Sequence, residues 1–308
     1  MPLAILPLML ALTIAQAAPT QTPDAAALVK EGQALLDNAD LDGAIEKFRA
    51  AVTADPQRYD AHDALGRALD LAGRYPEARE QLERAIALAP EDSKIQALTT
   101  MGTSFAFQAR PEDAARYYRR AFDAQMEAKD PAAAAGTANA LGRVYLESGN
   151  TVKAEQWYRT GYETSRRLPH RPASQLTLWE MRWHHALGRI AARKGHRQTA
   201  LQQAAIVKRL LDTGGINENQ RPFYPYLLGY IDFYTHHYRQ AIASLKKGDQ
   251  NDVFVLGLIA QSSHRLHDDA QAREYFERVL AGTGHNINAA FSRPVARKFL
   301  NRATDRSH

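Results

Sequence analysis

The stretch Gly32–Pro56, GQALLDNADLDGAIEKFRAAVTADP, returns 34 residues later as Gly66–Pro90, GRALDLAGRYPEAREQLERAIALAP. Both copies hold Gly, Ala, a large apolar residue, Ala and Pro at the same offsets. In the first these are Gly32, Ala44, Phe48, Ala51 and Pro56; in the second, Gly66, Ala78, Leu82, Ala85 and Pro90. A large apolar residue before the Gly (Leu65) and another three after it (Leu35, Leu69) give helical spacing on one face. Small residues at the Gly and Ala positions let two helices approach closely. A turn signal separates them, Ala72-Gly73-Arg74-Tyr75-Pro76, and Pro56 and Pro90 end each second helix.

Working outward, the same frame reappears as Gly102, Ala114, Tyr118, Ala121 and as Gly142, Ala154, Tyr158, Gly161. Looser copies follow: Gly188, Ala200, Ala204, Val207; Gly229, Ala241, Leu245, Gly248; and Ala260, Ala272, Phe276, Val279. The chain therefore reads as a row of helix pairs, each unable to bury its own apolar face alone.

This pattern resembles the tetratricopeptide repeat family. The resemblance covers residues 25–281 and implies antiparallel helix pairs stacked in a right-handed superhelix with a concave groove. The expected architecture is all-α. Seven pairs span 25–58, 59–92, 95–130, 135–168, 181–214, 222–250 and 253–281. A linker precedes them at 18–24, with a loop insertion at Pro169–Pro172. Asp232 and Pro225 fall where the repeat wants apolar residues, so the sixth pair is expected to start late or be distorted. A capping helix is expected over 288–302, N-capped by Asn288, with Pro294 arguing for a start there instead; 303–308 should fray.

Residues Leu3 to Ala15 are almost wholly apolar, too short a run for a comfortable membrane span, and Ala15-Gln16-Ala17 offers a small-x-small cleavage site. The expectation is a signal peptide over 1–17, cut after Ala17, and export to a periplasmic or extracellular location; the alternative is an uncleaved N-terminal anchor. No later segment is apolar enough to span. Cysteine is absent from the 308 residues, which excludes disulfides, thiolate zinc sites and cysteine catalysis. The net charge of +5 is unevenly spread. Residues 1–150 carry 15 Lys and Arg against 21 Asp and Glu; residues 151–308 carry 24 against 13. A basic C-terminal half suits an acidic partner.

Chemistry-bearing motifs are few. His264-x-x-His267-Asp268-Asp269 has metal-like spacing, but falls at the turn of the seventh pair, where polar residues belong. His184-His185 and His236-His237 point about 100° apart on a helix and cannot chelate together. No nucleophile elbow, phosphate-cradling loop or HExxH is present. No catalytic residue, cofactor or metal is expected. Trp179 and Trp183 read as packing residues beneath the insertion, or as a stacking platform for glycan.

The groove is the informative surface. The family resemblance puts the first helix of each pair on the concave side, and with the repeat Gly as origin the groove face falls at −3, +1 and +4, flanked by −6 and +5. Pair two then presents Asp63, Arg67 and Asp70; pair three Thr99, Thr103 and Ala106; pair four Asn139, Arg143 and Leu146. Pair five presents Arg182, His185, Arg189 and Arg193, and pair six Phe223, Tyr226, Tyr230, Phe233 and Tyr234. An Arg strip beside an aromatic strip suits a segment bearing a carboxylate next to a large apolar anchor. Glu147 is the only nearby acid, so the ligand is expected to supply the counter-charge to exposed guanidiniums. The expected function is a non-catalytic protein-interaction adaptor of the cell envelope, binding an acidic protein or peptide and no nucleic acid. The alternative is a glycan- or peptidoglycan-binding module using exposed aromatics.

Overall fold

The computed structural model describes residues 24–167, 172–213 and 215–305; the signal-peptide and linker expectations, and most of the insertion at Pro169–Pro172, lie outside the described residues. Fifteen α-helices make up the described chain, without a strand among them. They pair as α1 (Ala25–Asp37) with α2 (Leu41–Ala54), α3 (Tyr59–Ala72) with α4 (Tyr75–Leu88), and α5 (Lys94–Ala106) with α6 (Pro111–Glu127). Then come α7 (Pro131–Glu147) with α8 (Thr151–Ser165), α9 (Ala173–Arg193) with α10 (Arg197–Thr213), α11 (Phe223–Tyr234) with α12 (Tyr238–Leu245), and α13 (Val253–Arg265) with α14 (Asp269–Ala281). A long last helix, α15 (Ile287–Asp305), completes the superhelical array.

Most pairs close on the contact that their sequence encodes. A Cβ added at Gly32 would lie 2.5 Å from Phe48, at Gly66 2.6 Å from Leu82, at Gly102 2.7 Å from Tyr118, and at Gly229 2.4 Å from Leu245. The glycine thus admits the large apolar side chain of the second helix. Side-chain caps start several helices: Asp40 accepts from the Gly43 amide, Asp130 from Ala133, Asn150 from Lys153 and Asp268 from Gln271.

The irregular pairs have local causes. Helix α9 begins at Ala173 and runs 21 residues, putting Trp179 and Met181 in the core. Asp232, at an apolar position of α11, is accommodated because Arg197 of α10 donates to its carboxylate at 2.7 Å. Pro225 sits in the first turn of α11, where a missing amide costs no helix bond.

Helix α15 departs from expectation. It starts before Pro294 and carries that proline inside it. Asn286, not Asn288, caps it by accepting from the Ala289 amide, while the Asn288 amide donates to Asp252 at 2.8 Å. Packing outweighs the lost backbone bond. Ala289 and Ala290 join the core of the first five pairs, and Ala296 joins that of the last three. Helix α15 lies against α13 and α14 and also reaches α5 and α7, so it crosses the face lined by the first helices.

The segment leading into α15 fastens the end of the chain to its beginning. The His285 Nε2 is 2.9 Å from a carboxylate oxygen of Asp70 on α3, and both side chains are buried. The other Asp70 oxygen accepts from the Ser104 hydroxyl of α5 at 3.0 Å. Arg293, also buried, donates to the Leu71 carbonyl at the end of α3 and to the carbonyls of Leu280 and Gly282 at the end of α14. It thereby ties together the negative ends of two helix dipoles more than two hundred residues apart. Burial and the neighbouring Arg297 bring its pKa down to about 10.

Candidate functional site

The first helices α7, α9, α11 and α13 bring five of the nine expected site residues into one network. Arg143 of α7 donates to the Tyr226 hydroxyl at 3.3 Å and lies 4.8 Å from the centre of the Phe254 ring. Arg189 of α9 donates to the Tyr158 hydroxyl at 2.9 Å and sits between the Tyr158 and Tyr230 rings. Arg193 donates to the terminal carbonyls of α7, Leu146 and Glu147, and lies 4.5 Å from the Tyr234 ring centre. The Tyr230 hydroxyl donates to the Glu147 carboxylate at 3.2 Å. That carboxylate is 3.9 Å from both Arg189 and Arg193.

The expectation of exposed guanidiniums is corrected here. Arg189 is only 5% exposed, Tyr226 4% and Tyr230 0%. Offsets give the side of the helix that a residue faces, but Tyr158 from α8 and Tyr230 from α11 close over that side. The counter-charge is internal. Glu147 stands within 4 Å of two guanidiniums, and tyrosine hydroxyls and ring faces share the rest. Burial opposes the charge on Arg189, yet Tyr158, Tyr226, Tyr230 and Glu147 together hold its pKa above the ordinary value. Burial, reinforced by Glu147, raises Tyr230 well above an ordinary phenol. His185 is buried between the rings of Tyr226 and Phe223, and burial, with Arg189 and Arg143 nearby, drives its pKa well down.

The remaining expected residues lie around this network. Arg182 is half-buried over the Trp179 ring, 4.9 Å from its centre, and burial lowers its pKa. Phe233 packs on Tyr234 and Tyr238, toward α12. Asn139 is half-buried one turn before Arg143. Trp179 is 7% exposed, and Trp183 stacks on Tyr162 with ring centres 5.8 Å apart. These tryptophans, with Tyr226 and Tyr230, are therefore packing residues and offer glycan no open platform. Among the described residues no three His, Asp or Glu side chains gather as a metal site.

What stays open lies one step toward the N-terminus. Between α5, α6, α7 and residues 285–288 runs a groove of about 550 Å³. Thr99, Thr103, Thr137, Gln125, Arg143 and Asn286 line it. Gln125 is 8% exposed and its carbonyl oxygen has no partner; the Arg143 Nε likewise has none. Gly136, in the middle of α7, forms part of the wall, and a Cβ there would meet nothing within 4 Å. Thr99, Thr103 and Arg143 were legible from the repeat offsets. Gln125, Thr137 and Asn286 were not. The available signal was Gly136, a helix-interior glycine outside the repeat register, where Ala would be favoured by about 1 kcal/mol.

A family model described as tetratricopeptide repeat matches residues 29–93 and 99–170. Those residues are tetratricopeptide repeats. The chain's fold is similar to the apo form of RapI (14% identity, TM-score 0.55, covering 90% of this chain and 99% of that one). It is similar also to a tetratricopeptide repeat protein from Parabacteroides merdae (14% identity, TM-score 0.51, 90% and 97%). At these identities the likeness is one of fold. No curated protein matches the chain by sequence. The described residues include no helix long and apolar enough to cross a membrane.

Proposed function

We propose that the chain is a non-catalytic protein-interaction scaffold that holds an extended, carboxylate-bearing peptide segment in the groove between α5, α7 and residues 285–288. The observation that carries this reading is the groove's chemistry. Threonine hydroxyls and the Gln125 and Asn286 amides suit the alternating donors and acceptors of an extended backbone, and the Arg143 guanidinium in the lining suits a carboxylate. The tetratricopeptide family match supports the class of function. Gly136 keeps the wall low where the segment would lie.

Gly136 also supplies the test. The Cβ of Gly136→Leu meets no neighbour within 4 Å and leucine replaces a poor helix former, so thermal stability should hold or rise. In fluorescence-polarisation binding to a library of acidic and free-carboxylate peptides, the same variant should lose binding by more than roughly tenfold. Equal binding by Gly136→Leu and the parent chain would refute the groove as the site.

An exported adaptor of the cell envelope is the setting proposed for this activity, supported by the apolar run Leu3–Ala15 and the absence of cysteine. Sequencing the mature N-terminus should return Ala18. Met1 retained on a membrane-bound product would contradict it.

A further inference from the structure

At the end of the array, on residues that take no part in the peptide groove's walls, α13, α14 and α15 bound a cavity of about 960 Å³. Each helix brings a cation to it: Arg265 from the end of α13, Arg273 from α14, Lys298 and Arg302 from α15. His264 and His267 complete the polar rim. The apolar side is Phe276, Phe299 and Val295, with Phe299 4.8 Å from the Phe276 ring and 5.1 Å from His264. Val295 is among the few exposed large apolar residues.

The negative charge nearby is already engaged. Asp269, the one carboxylate in the lining, lies 2.5 Å from the His264 Nδ1, and Asp268 caps α14. Arg273 reaches Glu277 only at 3.8 Å. Arg265, Lys298 and Arg302 form no ion pair with any described side chain. Cations converging from three helices onto one concavity repel one another. A bound anion removes it. One carboxylate would neutralise a single cation, whereas a phosphate monoester brings close to two charges and three strong acceptors. The adjoining rings give such an anion an apolar body to rest on.

We propose that this cavity binds a phosphate ester with an apolar or aromatic body, the phosphate held by Arg265, Lys298 and Arg302 and the body laid on Phe299 and Val295. A soluble monoester and the monoester headgroup of phosphatidic acid share this chemistry, and two arms separate them. The full chain is titrated calorimetrically with phenyl phosphate, and separately with vesicles of phosphatidic acid and phosphatidylcholine against phosphatidylcholine alone. Saturable one-to-one binding of phenyl phosphate, with benzoate weaker by on the order of tenfold, supports the proposal and assigns a soluble ester. Retention on the anionic vesicles alone supports it and assigns a lipid headgroup. In either arm the exposed-surface double variant Arg265→Glu/Lys298→Glu should lose binding while its circular dichroism stays that of the parent. The same charge change placed elsewhere, Lys246→Glu/Lys247→Glu, should retain it. No binding in either arm, benzoate equal to phenyl phosphate, or equal loss in both double variants overturns the proposal.

Discussion

Seven residues after the small residue of each first helix, the backbone turns left-handed. Ala39, Ala109, His236 and His267 do so with φ of 63°, 51°, 67° and 62°, and Gly73, Gly149 and Gly195 do so in the other pairs. This position lets the chain reverse between the two helices of a pair, and only glycine takes it without a Cβ penalty. Two of the histidines that invite metal chemistry are thus turn residues, placed there by the repeat. Ala109→Gly and His236→Gly should each stabilise the protein by about 1 kcal/mol, less any loss through added freedom of the unfolded chain. Thermal denaturation checks this, and a lowered melting temperature in both would show that the side chains matter more than the dihedral. Arg189 marks where residue-level reading from sequence stops. Its offset gives its face, but its burial depends on Tyr158 and Tyr230, whose reach across two pairs is a property of packing.

At the scale of helices, the pair contact was legible because it is local. Gly and its large apolar partner are sixteen residues apart, and the Cβ clashes at Gly32, Gly66, Gly102, Gly142 and Gly229 all fall on that partner. Gly188 is looser, with Leu227 the nearest atom at 3.2 Å, because Ala204 occupies the partner position. Start points were less legible. Helix α9 extends back to Ala173 and α15 back through Pro294 because buried apolar residues outweigh a weak start signal or a missing amide. The contact among α7, α9 and α11 rests on Glu147, whose side chain is 2% exposed between Arg189 and Arg193. Glu147→Gln keeps the shape but leaves buried guanidiniums without their carboxylate. Breaking a buried pair in this way costs about 3–5 kcal/mol, and urea denaturation should show a loss of that order. A loss within about 0.5 kcal/mol, typical of exposed surface sites, would mean that tyrosine oxygens alone support the network.

Across the whole molecule, the feature absent from any repeat frame is closure. His285 with Asp70, and Arg293 with Leu71, join residues over two hundred positions apart, and no periodicity within 25–281 encodes such a contact. In an open solenoid, stability couples only neighbouring repeats. Here, ending the chain at Ala281 should accelerate amide exchange in α3 and α5 as well as in α13 and α14. Exchange that quickens in α13 and α14 alone would show that the ends are not coupled. Closure also decides what remains for a partner, since α15 covers part of the face formed by α5 and α7 and leaves the groove beside residues 285–288. The most direct measurement is site-specific photo-crosslinking in cells from Ala140 on the groove wall, with Val152 on the exposed surface of α8 as reference. The expected result is one protein joined from Ala140 and not from Val152, with mass spectrometry placing the crosslink in an extended segment beside an Asp, a Glu or a C-terminal carboxylate. Products from Val152 with none from Ala140, or a crosslinked segment without a carboxylate, would contradict it.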